Sequence, residues 1–409
     1  MGVMPSTTDL RQRIAAARLR TDELFALVRP DSLFERPVPE RHRLNFYIGH
    51  VEAFDWNMIC TCELGPKPFH AEFDRLFAFG IDPDSNSLPS DQPADWPSLQ
   101  ETAAYCRRVR ETVDSVLDDV PGDIVQTCIE HRLMHAETLC YLLHNLAPEL
   151  LLGEPASAAA VAAERGEVPQ QWIHIPFGEA RLGRERGSGF GWDNEFGTCT
   201  ERLEEYWVRK HKVTNAEYLA FVEEGGPQPH YWRQAGRSWL LRSMFGEIPL
   251  PLDWPVYVTH SQAVAFADHA GASLPSEAQW DRAAYGSGDP TRRFPWGNSR
   301  ASNGSANLDF RGWDPCSVLA TPASDSAFGV SQLVGNGWEW TCDKLRPFPG
   351  FEEYDFYPGY SSAFFDDEHY VLKGGSQRTA LQLARRSFRN WFRRDYPYVY
   401  SAFRLVRQG

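Results

Sequence analysis

The chain has 409 residues, too many for one hydrophobic core, so two or three domains are expected. Hydrophobic residues make up 42% and charged residues 23%, a balance that excludes a disordered or membrane-embedded chain. The net charge of −14, with no run of Lys or Arg, argues against nucleic acid as a partner.

The first nine residues carry no apolar stretch of a secretory leader, and no apolar run approaches the roughly 18 residues of a membrane span. A cytoplasmic protein with no membrane partner is expected. The eight Cys are scattered, and Cys60-x-Cys62 lacks the Cys-x-x-Cys redox spacing, so reduced thiols are expected.

Four amphipathic stretches open the chain. Thr8–Val28 starts on a Thr-Thr-Asp cap and carries Leu10, Ile14, Ala17, Leu24 and Leu27 at helical spacing. Leu44–Cys62, Trp96–Leu117 and Asp123–Leu146 follow as helices. Four such helices imply an antiparallel bundle with room for a site between them, filling residues 1–150. Between the second and third, Phe79–Pro97 is rich in Pro, Asp and Ser and reads as a long loop.

The fourth helix carries His131 and His135, four apart, so both imidazoles leave one face one turn apart. Cys128, His131, His135, Thr138 and Leu142 fall in a 3-4-3-4 rhythm, which puts the histidines on the bundle-facing seam. In the second helix Tyr47, His50 and Phe54 share a face. Lone polar groups on such a seam are costly, and a single His there is usually satisfied by hydrogen bonds. An i,i+4 pair plus a third His on a second helix instead predicts a divalent metal with open positions. This pattern does not choose among zinc, nickel and iron.

Leu152–Val168 is small, polar and Ala-rich, and the stretch 151–170 reads as a linker. From Gln171 the texture changes to short segments with many aromatics, Gly and Pro; most of the fourteen Trp lie here, which implies two unlike halves. Trp172–Gly178 reads as a strand and turn, Val213–Val222 and Ser261–Ala270 as short helices, and much of the rest as aromatic-rich loop.

Several segments of this half follow a known order: Lys212-Val-Thr-Asn-Ala-Glu-Tyr, Leu274-Pro-Ser-Glu-Ala-Gln-Trp, Phe294-Pro-Trp-Gly-Asn, Val334-Gly-Asn-Gly-Trp-Glu-Trp, Val371-Leu-Lys-Gly-Gly-Ser and Ala402-Phe-Arg-Leu-Val. They resemble the formylglycine-generating-enzyme-like, sulfatase-modifying-factor fold, a C-type-lectin-like α+β domain expected over 171–409. That enzyme's Cys pair is missing: the matching stretch, Gln377–Arg385, has no Cys. Formylglycine chemistry is therefore not expected, and a lectin-like binding module is the plainer alternative.

The first half resembles the DinB-like four-helix bundle with a three-His site. The two together resemble the ergothioneine-type sulfoxide synthases, giving an α+β two-domain fold class. These are non-haem Fe(II) enzymes that use O2 to join a sulfur donor to the imidazole of hercynine (Nα-trimethylhistidine). The resemblance implies Fe(II) on His50, His131 and His135, with Glu137 as the orienter of a ligand. It implies hercynine binding by Asn390 and Trp391 in Arg389-Asn-Trp391, the aromatic ring meeting the trimethylammonium cation. It implies a Tyr proton donor, for which Tyr357 and Tyr354 are the candidates and Tyr357 is preferred.

Two departures bear on the donor. The family carries an Asp after Asn-Trp, which pairs with the donor's ammonium group; here stands Phe392. It also carries two Arg in the loop after the second helix; Phe77–Pro93 has none. A zwitterionic donor would lose charged hydrogen bonds of about 1.5–3 kcal/mol each. A neutral seleno-sugar fits such a pocket, as in selenoneine synthase, which forms a C–Se bond to hercynine. The alternatives are an ergothioneine-type synthase with another thiol site, in which Arg393 and Arg394 meet carboxylates, and a zinc or nickel DinB-like thiol transferase.

Overall fold

The computed structural model describes residues 7–60, 62, 65–78, 88–153, 168–286, 292–299, 301–302 and 304–409. The chain divides into two units. One comprises Met1–Gly153 with Asp355–Tyr357, the other Glu154–Tyr354 with Pro358–Gly409. Most of the expected linker, and most of the Arg-free Phe77–Pro93 loop, lie outside the described residues. Among the described residues no helix is long and apolar enough to cross a membrane, and all eight Cys are free thiols.

The first unit is helical: α1 (Thr7–Phe25), α2 (Leu44–Cys60), a short α3 (Ala71–Leu76), α4 (Leu99–Val116) and α5 (Gly122–His144). α1 packs against α5, and α2 against both α4 and α5. The α1 residues Leu10, Ile14, Ala17 and Leu24 are buried, as their spacing requires. Arg18 pairs with Asp114 of α4 and Arg11 with Asp118 in the turn that follows it, tying α1 to that end of α4. The end of the unit returns to its beginning, where Leu152 N donates to Leu27 O at 2.7 Å.

Several helix boundaries differ from expectation, and α5 ends at His144 instead of Leu146. α1 stops at Phe25 and α2 at Cys60. α4 begins at Leu99 instead of Trp96 because Ser98 is the cap: its hydroxyl accepts from Glu101 N, and the Glu101 carboxylate accepts from Ser98 N at 3.0 Å. Trp96 instead follows a 3₁₀ turn and donates to Asp91. The six-residue α3 has too few positions to carry a helical rhythm and was missed.

The second unit is richer in strands than its aromatic-rich sequence suggests. β8 (Trp338–Lys344) lies inside a four-stranded sheet with β9 (His369–Lys373), β10 (Asn390–Arg393) and β11 (Ser401–Ala402), in the order β10-β9-β8-β11. β11 is parallel to β8, and the other pairs are antiparallel. β1 (Trp172–Ile175), β4 (Tyr206–Arg209) and β12 (Val406–Gln408) form a second sheet. β2 (Gly178–Arg184) pairs with β3 (Gly197–Leu203). β5 (Trp232–Ala235), β6 (Ser238–Ser243) and β7 (Gly246–Pro249) form a meander.

Helices α6 (Asn215–Glu223), α7 (His260–His269) and α8 (Glu277–Tyr285) each start on a capping box: Thr214 with Glu217, Thr259 with Gln262, Ser276 with Gln279. Four of the six quoted motifs meet at one buried carboxylate. Glu339 accepts from Lys212 Nζ at 2.7 Å, Trp280 Nε1 at 3.2 Å and Arg404 Nε at 2.5 Å. Burial opposes the charge on Glu339, but Arg404 and Lys212 outweigh it and hold the carboxyl low. These motif residues therefore join a strand, a helix and the C-terminal segment. They are structural.

Candidate metal centre

α2 and α5 are buried along most of their length, so each charged or polar side chain on them needs a partner inside the unit. Arg132, fully buried on α5, supplies several. Its guanidinium donates to Glu52 Oε1 at 2.9 Å, Asp55 Oδ2 at 2.6 Å and the Val51 carbonyl at 2.8 Å, all on α2. Arg110 of α4 reaches the same Glu52. Burial opposes ionisation of Glu52, but Arg132 and Arg110 outweigh it and bring its pKa down to about 2. This clamp sets the register of α2 against α5. The sequence reading missed it, because charged residues on an apolar face read as surface residues; the signal was Glu52 and Asp55, three apart, in a helix with no other Asp, Glu, Lys or Arg.

With that register His50 of α2 meets His131 and His135 of α5. His135 Nε2 lies 3.1 Å from His131 Nε2 and 3.3 Å from His50 Nε2. All three are buried, and their ligand atoms lie within 4.8 Å of one another. Among the described residues no other cluster of His, Cys, Asp and Glu is of this kind.

The tautomer of His50 follows from its partner. Its Nδ1 lies 2.7 Å from the Phe77 carbonyl, which can only accept, so Nδ1 carries the proton and Nε2 a lone pair. Burial pushes His50 down to about 4, and His131 and His135 well below the usual imidazole value. Near neutral pH the three are therefore uncharged. Lone pairs facing each other at such distances repel unless a proton or a cation lies between them. Two nitrogens bound at about 2.1 Å and at right angles on one ion would be about 3 Å apart. The donor set thus fits a divalent metal held on one face, with the remaining positions open.

Aromatic rings fix the imidazole planes. Phe46 stacks on His50 at 4.8 Å, and Phe54 on His131 at 3.4 Å. Tyr357 belongs to this unit and meets Phe54 edge-on at 5.3 Å. Tyr354 belongs to the other unit, where its hydroxyl donates to the Gly191 carbonyl. The expected orienter Glu137 is buried on α5, two residues and so about 200° round from His135. Among the described residues the Nδ1 atoms of His131 and His135 have no hydrogen-bond partner, so Glu137 orients neither through that atom. The carbonyl of Phe77 is the orienter found, and a backbone acceptor leaves no mark in a sequence.

Asn390, Trp391 and Phe392 form β10 of the second unit. Trp391 is half-buried, with Tyr360 at 5.6 Å and Phe364 at 5.5 Å, and Tyr360 stacks on Trp192 at 4.1 Å. Asn390 Oδ1 accepts from Trp391 N at 2.9 Å. Phe392 stacks on Tyr396 at 5.3 Å, their planes 10° apart.

Residues 157–409 match the family described as sulfatase-modifying factor enzyme 1-like domain. The hercynine oxygenase of Mycolicibacterium smegmatis is 34% identical over 84% of this chain and 84% of its own length. The chain belongs to the hercynine oxygenase family. Ergothioneine biosynthesis protein 1 of Neurospora crassa is 27% identical over 92% of this chain, which spans 55% of that protein's length. The formylglycine-generating enzyme of Thermomonospora curvata is 26% identical over 43% of this chain and 72% of its own.

Proposed function

We propose that this chain is a non-haem Fe(II) enzyme that uses O2 to join a chalcogen donor to the imidazole of hercynine. The convergence of the His50, His131 and His135 Nε2 atoms carries this reading, and the likeness to hercynine oxygenases supports the substrate. The first unit is then a DinB-like bundle. Iron supplies O2 activation when bound, and three imidazoles leave about three positions for substrate and O2. The His residues arrive neutral, so binding the metal near pH 7 expels few protons.

The chain's other residues bind and orient. Trp391 is proposed to face the trimethylammonium group, a permanent cation with no N–H that only π faces and oxygen atoms can stabilise. Asn390 is proposed to hold the polar end of hercynine. Tyr357 is proposed as proton donor; its ring rests on Phe54, which itself lies on His131. Tyr354 is the weaker candidate, because its hydroxyl is already committed to Gly191 O.

The similarity to ergothioneine biosynthesis proteins and hercynine oxygenases favours a sulfur donor and C–S bond formation. A second reading, C–Se bond formation with a seleno-sugar as in selenoneine synthesis, rests on Phe392. An aromatic ring stacked on Tyr396 gives a donor's ammonium group no carboxylate. A neutral donor avoids burying unpaired charge. Product analysis by mass spectrometry decides, with Fe(II) and hercynine held fixed and γ-glutamylcysteine, cysteine, a thio-sugar and a seleno-sugar offered in turn. Coupling of the amino-acid thiols alone supports the first reading; coupling of the sugars alone supports the second. No coupling of any donor sinks both.

A further inference from the structure

We infer that Gly49 is a positioning residue for the metal ligand His50, acting through the backbone carbonyl of Phe77. Gly49 stands inside α2, where glycine is about 1 kcal/mol less favourable than alanine. A reason for it is therefore needed, and packing supplies one. A Cβ at Gly49 would lie 2.5 Å from Phe77 Cγ, inside the closest approach of two carbons. The missing side chain is the space that the Phe77 ring fills.

That ring cannot step aside on its own, without its backbone. Phe77 is fully buried, with Phe73 and Tyr105 at 5.7 Å and Trp96 at 6.3 Å between ring centroids. Its backbone continues α3, which is pinned to α4 where Tyr105 donates to Asp74 at 2.7 Å. The Phe77 carbonyl is thus held in place, and it accepts from His50 Nδ1 at 2.7 Å. This contact keeps the proton on Nδ1 and presents the Nε2 lone pair to the site. Adding one methyl group at Gly49 pushes out the ring and the carbonyl with it. His50 then loses its orienting acceptor while all three imidazoles remain.

The inference rests on the metal-binding reading of the three histidines, and its test separates the two. The probe is Co(II), whose visible absorption reports affinity and coordination without turnover. Gly49→Ala should raise the Co(II) dissociation constant tenfold or more, the range found when such orienting partners are lost. Gly49→Ala/Phe77→Ala removes the clash and should return the constant to within about threefold of Phe77→Ala alone. A Gly49→Ala protein that binds Co(II) like the wild type overturns the inference, as does a double variant as weak as Gly49→Ala. Wild-type protein that binds no Co(II) overturns the metal reading and this inference together. A further measurement needs no variant to fold well: ¹⁵N spectra of histidine-labelled, metal-free wild type should show one buried imidazole as the Nδ1–H tautomer, absent from His50→Gln. An Nε2–H tautomer for His50 overturns the inference.

Discussion

Phe54 lies flat against His131, their ring centroids 3.4 Å apart and their planes 8° from parallel. His131 Nδ1 has no hydrogen-bond partner among the described residues, and stacking holds this imidazole in plane. On another side of Phe54 the ring of Tyr357 stands edge-on. One phenylalanine thus touches both a proposed metal ligand and the proposed proton donor.

Replacing Tyr357 by Phe keeps that ring contact and removes only the hydroxyl. A positioned proton donor contributes typically 10²–10⁴-fold, so kcat should fall by at least 10². Tyr354→Phe should instead lose the bond to Gly191 O, about 1 kcal/mol of stability. Steady-state oxygen uptake and thermal melts of both variants measure this. The reverse pattern would transfer the role to Tyr354.

Arg132→Met should cost roughly 3–5 kcal/mol, because Asp55 stays buried without its cation and Glu52 keeps only Arg110. Adding Glu52→Gln and Asp55→Asn should recover most of that loss, since the buried charges go too. Urea denaturation of the three proteins tests it. A single variant as stable as the wild type would mean that the clamp does not set the helix register.

The metal-free protein should lose stability on mild acidification. His50 sits at about 4 in the folded state, and His131 and His135 lie well below the usual value. In the unfolded chain each returns to about 6.5. Below that pH the unfolded state binds more protons, so stability is complete above about pH 6.5 and falls toward pH 4. His50 alone accounts for roughly 3 kcal/mol of the fall by pH 4. Denaturation curves between pH 7.5 and 5 should show this slope, and His50→Gln should reduce it. A flat profile would mean that the imidazoles are not buried in their neutral form.

Trp391→Ala should raise the hercynine KM more than that of the chalcogen donor, by roughly five- to thirtyfold for a desolvated cation–π contact of about 1–2 kcal/mol. Histidine, which lacks the methyl groups, is the control substrate. Equal losses for the two would remove Trp391 from the trimethylammonium site.

The period of α5 is plain in the sequence: His131 and His135 fall four apart among apolar residues, and Tyr47, His50 and Phe54 mark the matching face of α2. Helical periodicity reports which side chains share a face, so the meeting of three histidines was legible. It does not report what a backbone carbonyl does, so the Phe77–His50 bond was not. Nor does it separate a buried charge from a solvated one, and Arg132, Glu52 and Asp55 look like surface residues. Glu137 was expected from the family's His-x-x-x-His-x-Glu order, and two residues carry it about 200° round the helix from His135. In the second unit, strands of two to seven residues broken by Gly and Pro carry too few alternations to stand out, so the sheets were under-read.

The central claim is that three buried histidines hold Fe(II) for O2 chemistry on hercynine. Anaerobic loading with Fe(II), followed by oxygen-electrode measurement with hercynine and a chalcogen donor, tests it most directly. Oxygen should be consumed in step with coupled product, only when hercynine is present, and not by His131→Ala, His135→Ala or His50→Ala protein that remains folded. Hercynine-independent uptake, or full activity in any one of those three variants, would contradict the account.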